Sequence, residues 1–197
     1  MALLHGLLKP FQFWNDLVLP IGRWISIVAI ALMVVAILIQ VFFRYVLNAA
    51  LPWPDEAARF MMLWLTGLMA PIAFRRGGFV AIDMVVQAMP VKIGQIVTLF
   101  LLFISAAVLA MAITIGWSEV TGFGGRFATA ALYLPTTLDF SEWFRVPRSW
   151  MMLSLLVGVI LLLIVNIELI LRSIITLLGG GDSLKELLPP EEEIMAE

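Results

Sequence analysis

The residues of this chain that could do chemistry are few, and they sit at the ends of apolar stretches. Arg44, Asp55, Glu56 and Arg59 surround one turn, Arg75, Arg76 and Asp83 the next, and Glu168 with Arg172 lies near the end of the last apolar run. An ionised side chain is costly in a bilayer, so charge at such places calls for a physical reason. The first group holds two cations and two anions, which can neutralise one another at a membrane rim. Two readings are open for it. One is a charge cluster that sets topology and helix tilt; the other is a docking surface for a second protein on the outer side, with Trp53 as its aromatic contact. Arg75 and Arg76, beside Gly77 and Gly78, either enforce the orientation of the chain or bind anionic lipid headgroups. Glu168 and Arg172 are spaced i,i+4 with the acid first, the better order for a pair on one helical face.

Other chemistries fail on simple counts. The chain has no cysteine, which removes disulfides, thiolate metal sites and a cysteine nucleophile together. Its single histidine, His5, stands near the start, whereas a bis-histidine haem needs two inside a helical bundle. No HExxH box and no nucleophile with a base partner is present, so no enzyme activity, cofactor or metal is expected. A net charge of −2 without a basic run gives nucleic acid nothing to bind. Between the charged ends, the apolar stretches carry no acid or base, and scattered polar residues such as Gln40, Thr66, Thr98, Ser105, Thr114, Ser154 and Asn166. A protein that moves ions or organic anions by itself lines a path with ionisable groups and broken helices. This pattern instead suits an accessory subunit whose apolar faces pack against a larger membrane partner. The alternative is a membrane scaffold or assembly factor unconnected with transport.

The elements that must hold these residues are helices. Hydrophobic residues make up 62% of the chain and charged ones 13%, with a mean hydropathy of +1.06, far from the makeup of a soluble domain. The expected fold is an all-α membrane protein with four transmembrane helices, at about 21–45, 56–77, 92–118 and 148–178, in one domain over 1–178. Residues 2–19 read as an N-terminal interfacial helix interrupted at Pro10. Their composition lacks the charged lead and small-residue cleavage site of a removable signal peptide. Pro52 and Pro54 end the first span, and Asp55 and Glu56 then complement the dipole of the second. Thr66, Gly67 and Pro71 make that second span the least lipid-like, suited to close packing or a kink. Residues 118–147 mix Gly, Thr and Pro with aromatics, as in a structured loop against the membrane or a partner. Residues 179–197 read as a flexible acidic tail after a glycine hinge.

With the N terminus inside, Lys9, Arg23, Arg75, Arg76, Lys92, Arg172 and Lys185 fall on the cytoplasmic side, against Arg44, Arg59, Arg126, Arg145 and Arg148 outside. The excess places both termini in the cytoplasm.

The order Phe43-Arg44-Tyr45, then Trp53, Pro54, Asp55, Glu56 and Arg59, then Arg75, Arg76, Gly77, Gly78 and Asp83 resembles the DctQ-type small membrane subunit of tripartite ATP-independent periplasmic (TRAP) transporters. One departure is visible. Family members often carry histidine after the double glycine, where this sequence has Phe79, so no role of that histidine carries over. The resemblance implies a multi-pass protein of the bacterial inner membrane that binds a large multi-span subunit. That partner would hold the sodium and substrate sites and move substrate by an elevator-like motion. An extracytoplasmic binding protein would deliver an organic anion such as a carboxylate or sialic acid. The small subunit would widen the static scaffold, contact membrane lipids and offer part of the docking surface.

Overall fold

A computed structural model describes residues 2–77, 89–135 and 143–181, with 184 and 187. Gly78, Phe79, Asp83 and nearly all of the expected acidic tail lie outside the described residues. Four helices are long and apolar enough to cross a membrane: α1 (Ala2–Tyr45), α2 (Trp53–Arg75), α3 (Val91–Thr121) and α4 (Ser149–Leu177). A short 3-10 turn at Phe123–Arg126 and two antiparallel strands, β1 (Ala128–Pro135) and β2 (Trp143–Pro147), occupy the stretch between α3 and α4. The loop was expected to be structured, but the hairpin itself was not anticipated.

The expected interruption at Pro10 does not occur. Residues 2–19 are helical, but they continue without a break into the first span, with Pro10 and Pro20 inside one helix. Each proline removes a ladder hydrogen bond and costs about 3 kcal/mol in an isolated helix. Here one continuous face offsets that cost. Leu8, Asn15, Leu19, Gly22, Ser26, Ala36 and Gln40 recur at helical spacing and are all buried, so tertiary packing, not local propensity, sets the length of α1.

The helix ends follow from backbone chemistry. Gly77 adopts a left-handed φ of 79° just after α2, the conformation that closes a helix most cheaply when Cβ is absent. At the end of α4, Gly179 has φ 83°; its N–H donates to Thr176 O at 3.0 Å while Gly180 N–H donates to Ile175 O at 2.9 Å. That pair of bonds is a Schellman motif, which ends α4 at the first of these glycines.

The chain packs as two compact units, and every long helix contributes to both. The unit formed by 1–21, 70–111 and 159–197 has a core of Leu19, Ile72, Phe74 and Val165, with Leu102, Leu162 and Leu169 packed against it. In the unit formed by 22–69 and 112–158, Ala57, Leu68, Val146 and Leu156 are buried. There α2 crosses α4 at Gly67, whose nearest neighbours are the Ser154 backbone and Gly158. Ser154 and Gly158 are one helical turn apart, the small-xxx-small spacing that lets two backbones approach.

Candidate functional site

Two polar sites organise the molecule, one in each unit. The first begins at the turn between α1 and α2. Asn48 takes a φ of 51° there, tolerated because its short polar side chain suits the left-handed region. Gln40, buried near the end of α1, donates from Nε2 to Asp55 Oδ2 at 3.4 Å, tying the end of α1 to the start of α2. Glu56 reaches further. Its Oε1 accepts from the Ala130 N–H at 2.8 Å and its Oε2 accepts from the Ala131 N–H.

The reason for that reach is the register of the hairpin. Ala128 pairs with Pro147 but Tyr133 pairs with Arg145, so β1 carries extra residues in a bulge between them. Backbone groups inside a bulge lose their ladder partners and must find others. Glu56 takes the two N–H groups. Arg145 takes carbonyls from the same stretch, donating from Nε to Thr129 O at 2.5 Å and from Nη2 to Ala130 O at 2.9 Å, while its guanidinium lies 5.6 Å from the Tyr133 ring centre. Thr129, buried, donates its hydroxyl to Val146 O at 2.7 Å. A carboxylate on α2 and a guanidinium on β2 therefore clamp one bulge by its opposite polarities.

The four rim charges do not neutralise one another. Among the described residues, neither Arg44 nor Arg59 pairs with Asp55 or Glu56. Arg44 is exposed with its guanidinium 5.9 Å from the Tyr45 ring centre, and Arg59 is exposed on α2. Trp53 is 40% exposed at the first turn of the same helix. The carboxylates are occupied by groups that no spacing rule could nominate, a glutamine amide and two strand N–H groups. Removing the Glu56 charge has a local expected outcome. In Glu56→Gln one amide N–H loses its acceptor, and hydrogen exchange at Ala130 and Ala131 should accelerate by about tenfold, with amides in α3 unchanged. Equal rates in both proteins would show that the clamp contributes nothing.

The second site is a buried carboxylate. Glu168 on α4 is 0% exposed and accepts hydrogen bonds on both of its oxygens. Arg75 donates to both of its oxygens, from Nε to Oε2 and from Nη2 to Oε1, each at 2.9 Å. Arg172 donates from Nε to Oε1 at 3.0 Å and Asn15 from Nδ2 to Oε2 at 2.6 Å. Arg75 also reaches Asp16 from Nη1 at 2.6 Å. Arg75, Arg172, Glu168, Asp16 and Asn15 thus form a charged, hydrogen-bonded node that joins α1, the end of α2 and α4.

This node bears on two of the charges read from the sequence. The i,i+4 pair between Glu168 and Arg172 exists, but it is not self-contained. Arg75, read from the sequence as an inner-rim residue that sets topology or meets lipid headgroups, lies in the last turn of α2 with its side chain 11% exposed and turned onto Glu168. Arg76 follows in the turn after α2, where its N–H donates to Ile72 O at 3.2 Å. The missed partners, Asn15 and Asp16, were legible only as polar residues within an apolar segment. A fork-shaped bidentate contact satisfies both carboxylate oxygens, which is what a buried Glu requires.

The helices and these two sites define an integral membrane protein of four long helices, in which the buried ionisable groups are engaged in holding elements together. The family model for the DctQ component of tripartite ATP-independent periplasmic transporters matches residues 33–176, and the chain belongs to that family. The match takes in the end of α1, all of α2 and α3, the hairpin and nearly all of α4, which includes every residue of the bulge clamp. The family is a transporter component, so the chain is a membrane subunit of a transport system. No curated protein matches the chain.

Proposed function

We propose that this chain is the small scaffold subunit of a sodium-coupled, binding-protein-dependent transporter for organic anions such as carboxylates or sialic acid. It sits in the bacterial inner membrane with both termini in the cytoplasm. A large multi-span subunit holds sodium and substrate; the small subunit widens and anchors that scaffold and contributes to docking of the extracytoplasmic binding protein. It performs no catalysis and carries no cofactor of its own.

The observation that supports this reading best is the use made of Glu168. A carboxylate that relays an ion must exchange partners, whereas Glu168 has both oxygens filled by two arginines and an asparagine. Such saturation fits a fixed joint. The bulge clamp at Glu56 and Arg145 supports the same role, since it ties the hairpin to α2.

The test is reconstitution. After extraction in mild detergent, the chain should co-purify with a much larger membrane protein in a fixed ratio. Proteoliposomes holding the pair, given the binding protein and an inward sodium gradient, should accumulate an organic anion, while vesicles with this chain alone should not. A chain that purifies without a partner, or that transports alone, would overturn the scaffold reading.

A further inference from the structure

The exposed faces of the helices are not alike. Along α1, Ile27, Val28, Ile30, Val34, Val35 and Leu38 are exposed, and along α3 Ile96, Phe100, Phe103, Ile104 and Val108. These are the bulky aliphatic and aromatic side chains that lipid tails accept. The exposed face of α2 has a different makeup. At one-turn spacing it presents Arg59, Met62, Thr66 and Met69, with Leu63 beside them. The span itself is less apolar than the others, with a mean hydropathy of 1.5 against 2.7–2.9.

The two faces of α2 divide their work. Gly67, Leu68, Pro71 and Ile72 are buried against the rest of the chain, so the Arg59–Met69 stripe is left over for something outside it. Helix contacts within membranes favour hydroxyl and small side chains, because dispersion and hydrogen bonding replace the hydrophobic drive. Methionine adds a flexible, polarisable surface that adapts to a partner's shape. Arg59 adds a charge. It is exposed in the second turn of α2 and makes no hydrogen bond or ion pair among the described residues.

We propose that this stripe of α2 is the contact surface for one transmembrane helix of the large membrane subunit, and that this helix carries a carboxylate opposite Arg59. The proposal rests on the scaffold reading above and assigns it a surface. An anionic residue is the counterpart because a guanidinium fork binds a carboxylate bidentately and specifically. The faces of α1 and α3 named above remain lipid-facing.

The experiment places a photo-crosslinking phenylalanine analogue at Met62 or Met69, and for comparison at Ile96 or Phe103, in the complex co-expressed with its large subunit. Crosslinks from positions 62 and 69, mapped by mass spectrometry to one membrane-spanning segment of that subunit, and lipid adducts from 96 and 103, are expected. Capture of the large subunit from 96 or 103, with lipid alone at 62 and 69, overturns this assignment and leaves the scaffold reading standing. Failure to recover any large subunit with the unaltered chain overturns the scaffold reading itself. Arg59→Glu should lower recovery of the large subunit by about tenfold, a change of roughly 1.4 kcal/mol, and Arg59→Lys should restore most of it. Because Arg59 has no partner within the described chain, exchange at Ala130 and Ala131 should be unaltered in both variants, which separates lost association from misfolding. Recovery of the large subunit undiminished in Arg59→Glu would remove the carboxylate from the proposal.

Discussion

Arg75→Leu should destabilise the protein by about 3–5 kcal/mol, because it leaves a buried carboxylate short of its main partner. Glu168 would retain Arg172 and Asn15 but lose both hydrogen bonds from Arg75. Desolvation makes this costly, since the carboxylate has no water to fall back on. Unfolding of the purified protein in mixed micelles, followed by circular dichroism against rising denaturing detergent, measures the loss. Two further variants separate the causes. Arg75→Lys keeps the charge but not the planar fork, so it should fall between wild type and Arg75→Leu. The double variant Arg75→Leu with Glu168→Leu should be more stable than Arg75→Leu alone, because the uncompensated charge is gone. A loss below about 1 kcal/mol for Arg75→Leu, the scale of an exposed pair, would show that the node is not buried in solution as it is in the structure.

The second large effect is steric. A Cβ placed on Gly158 would stand 2.7 Å from both the Cα and the O of Gly67, a separation that real Cβ atoms essentially never show. The obstruction is backbone, so no side chain can rotate away. Helices α2 and α4 must move apart along the crossing. Overpacking of this kind costs about 1–3 kcal/mol, at times more, and backbone-on-backbone contact belongs at the upper end. Gly158→Ala should therefore lower the unfolding midpoint clearly, and Gly158→Val more so. Gly6→Ala is the contrasting substitution. No atom lies within 4 Å of a Cβ built there, and alanine restores helix propensity, so the change should be neutral or slightly stabilising, by up to about 1 kcal/mol. Equal stability for Gly158→Ala and wild type would mean that α2 and α4 do not meet as closely as the structure has them.

Both effects bear on the proposed role. A scaffold subunit must present a fixed surface, and the two devices that fix this chain are a charge node in one unit and a close helix crossing in the other. The stripe Arg59–Met69 lies on the same helix as Gly67, on its exposed side. Loss of the crossing should therefore weaken association with the large subunit as well as stability, whereas Gly6→Ala should leave association unchanged.

Much of the architecture was written in local sequence. Three long charge-free stretches, and a shorter one between Arg59 and Arg75 extended by its flanking residues, form spans because a bilayer leaves backbone polar groups no partner except their own helix. Span ends followed from proline, glycine and the charged residues themselves. The run from Phe43 to Asp83 carried the family resemblance, which the match over residues 33–176 bears out. The i,i+4 spacing of Glu168 and Arg172 announced a real pair, since neighbours on one helix are set by helical geometry alone.

Only the tertiary structure decided what each charge was for. Arg75 lies 93 residues from Glu168 and Asn15 lies 153 from it; no local rule connects residues so far apart, and helix packing brings them together. Glu56 looked like half of a rim ion pair, yet it serves a strand bulge 74 residues away that itself exists only because β1 is longer than its partner requires. Pro10 looked like a helix break, and tertiary burial of Leu8 and Asn15 overrode it. The sequence by itself thus determined that the chain forms four long apolar helices, through the one-dimensional cost of placing polar groups in lipid. Which charges face one another, and which face is left for a partner, depends on three-dimensional contact and was settled by packing.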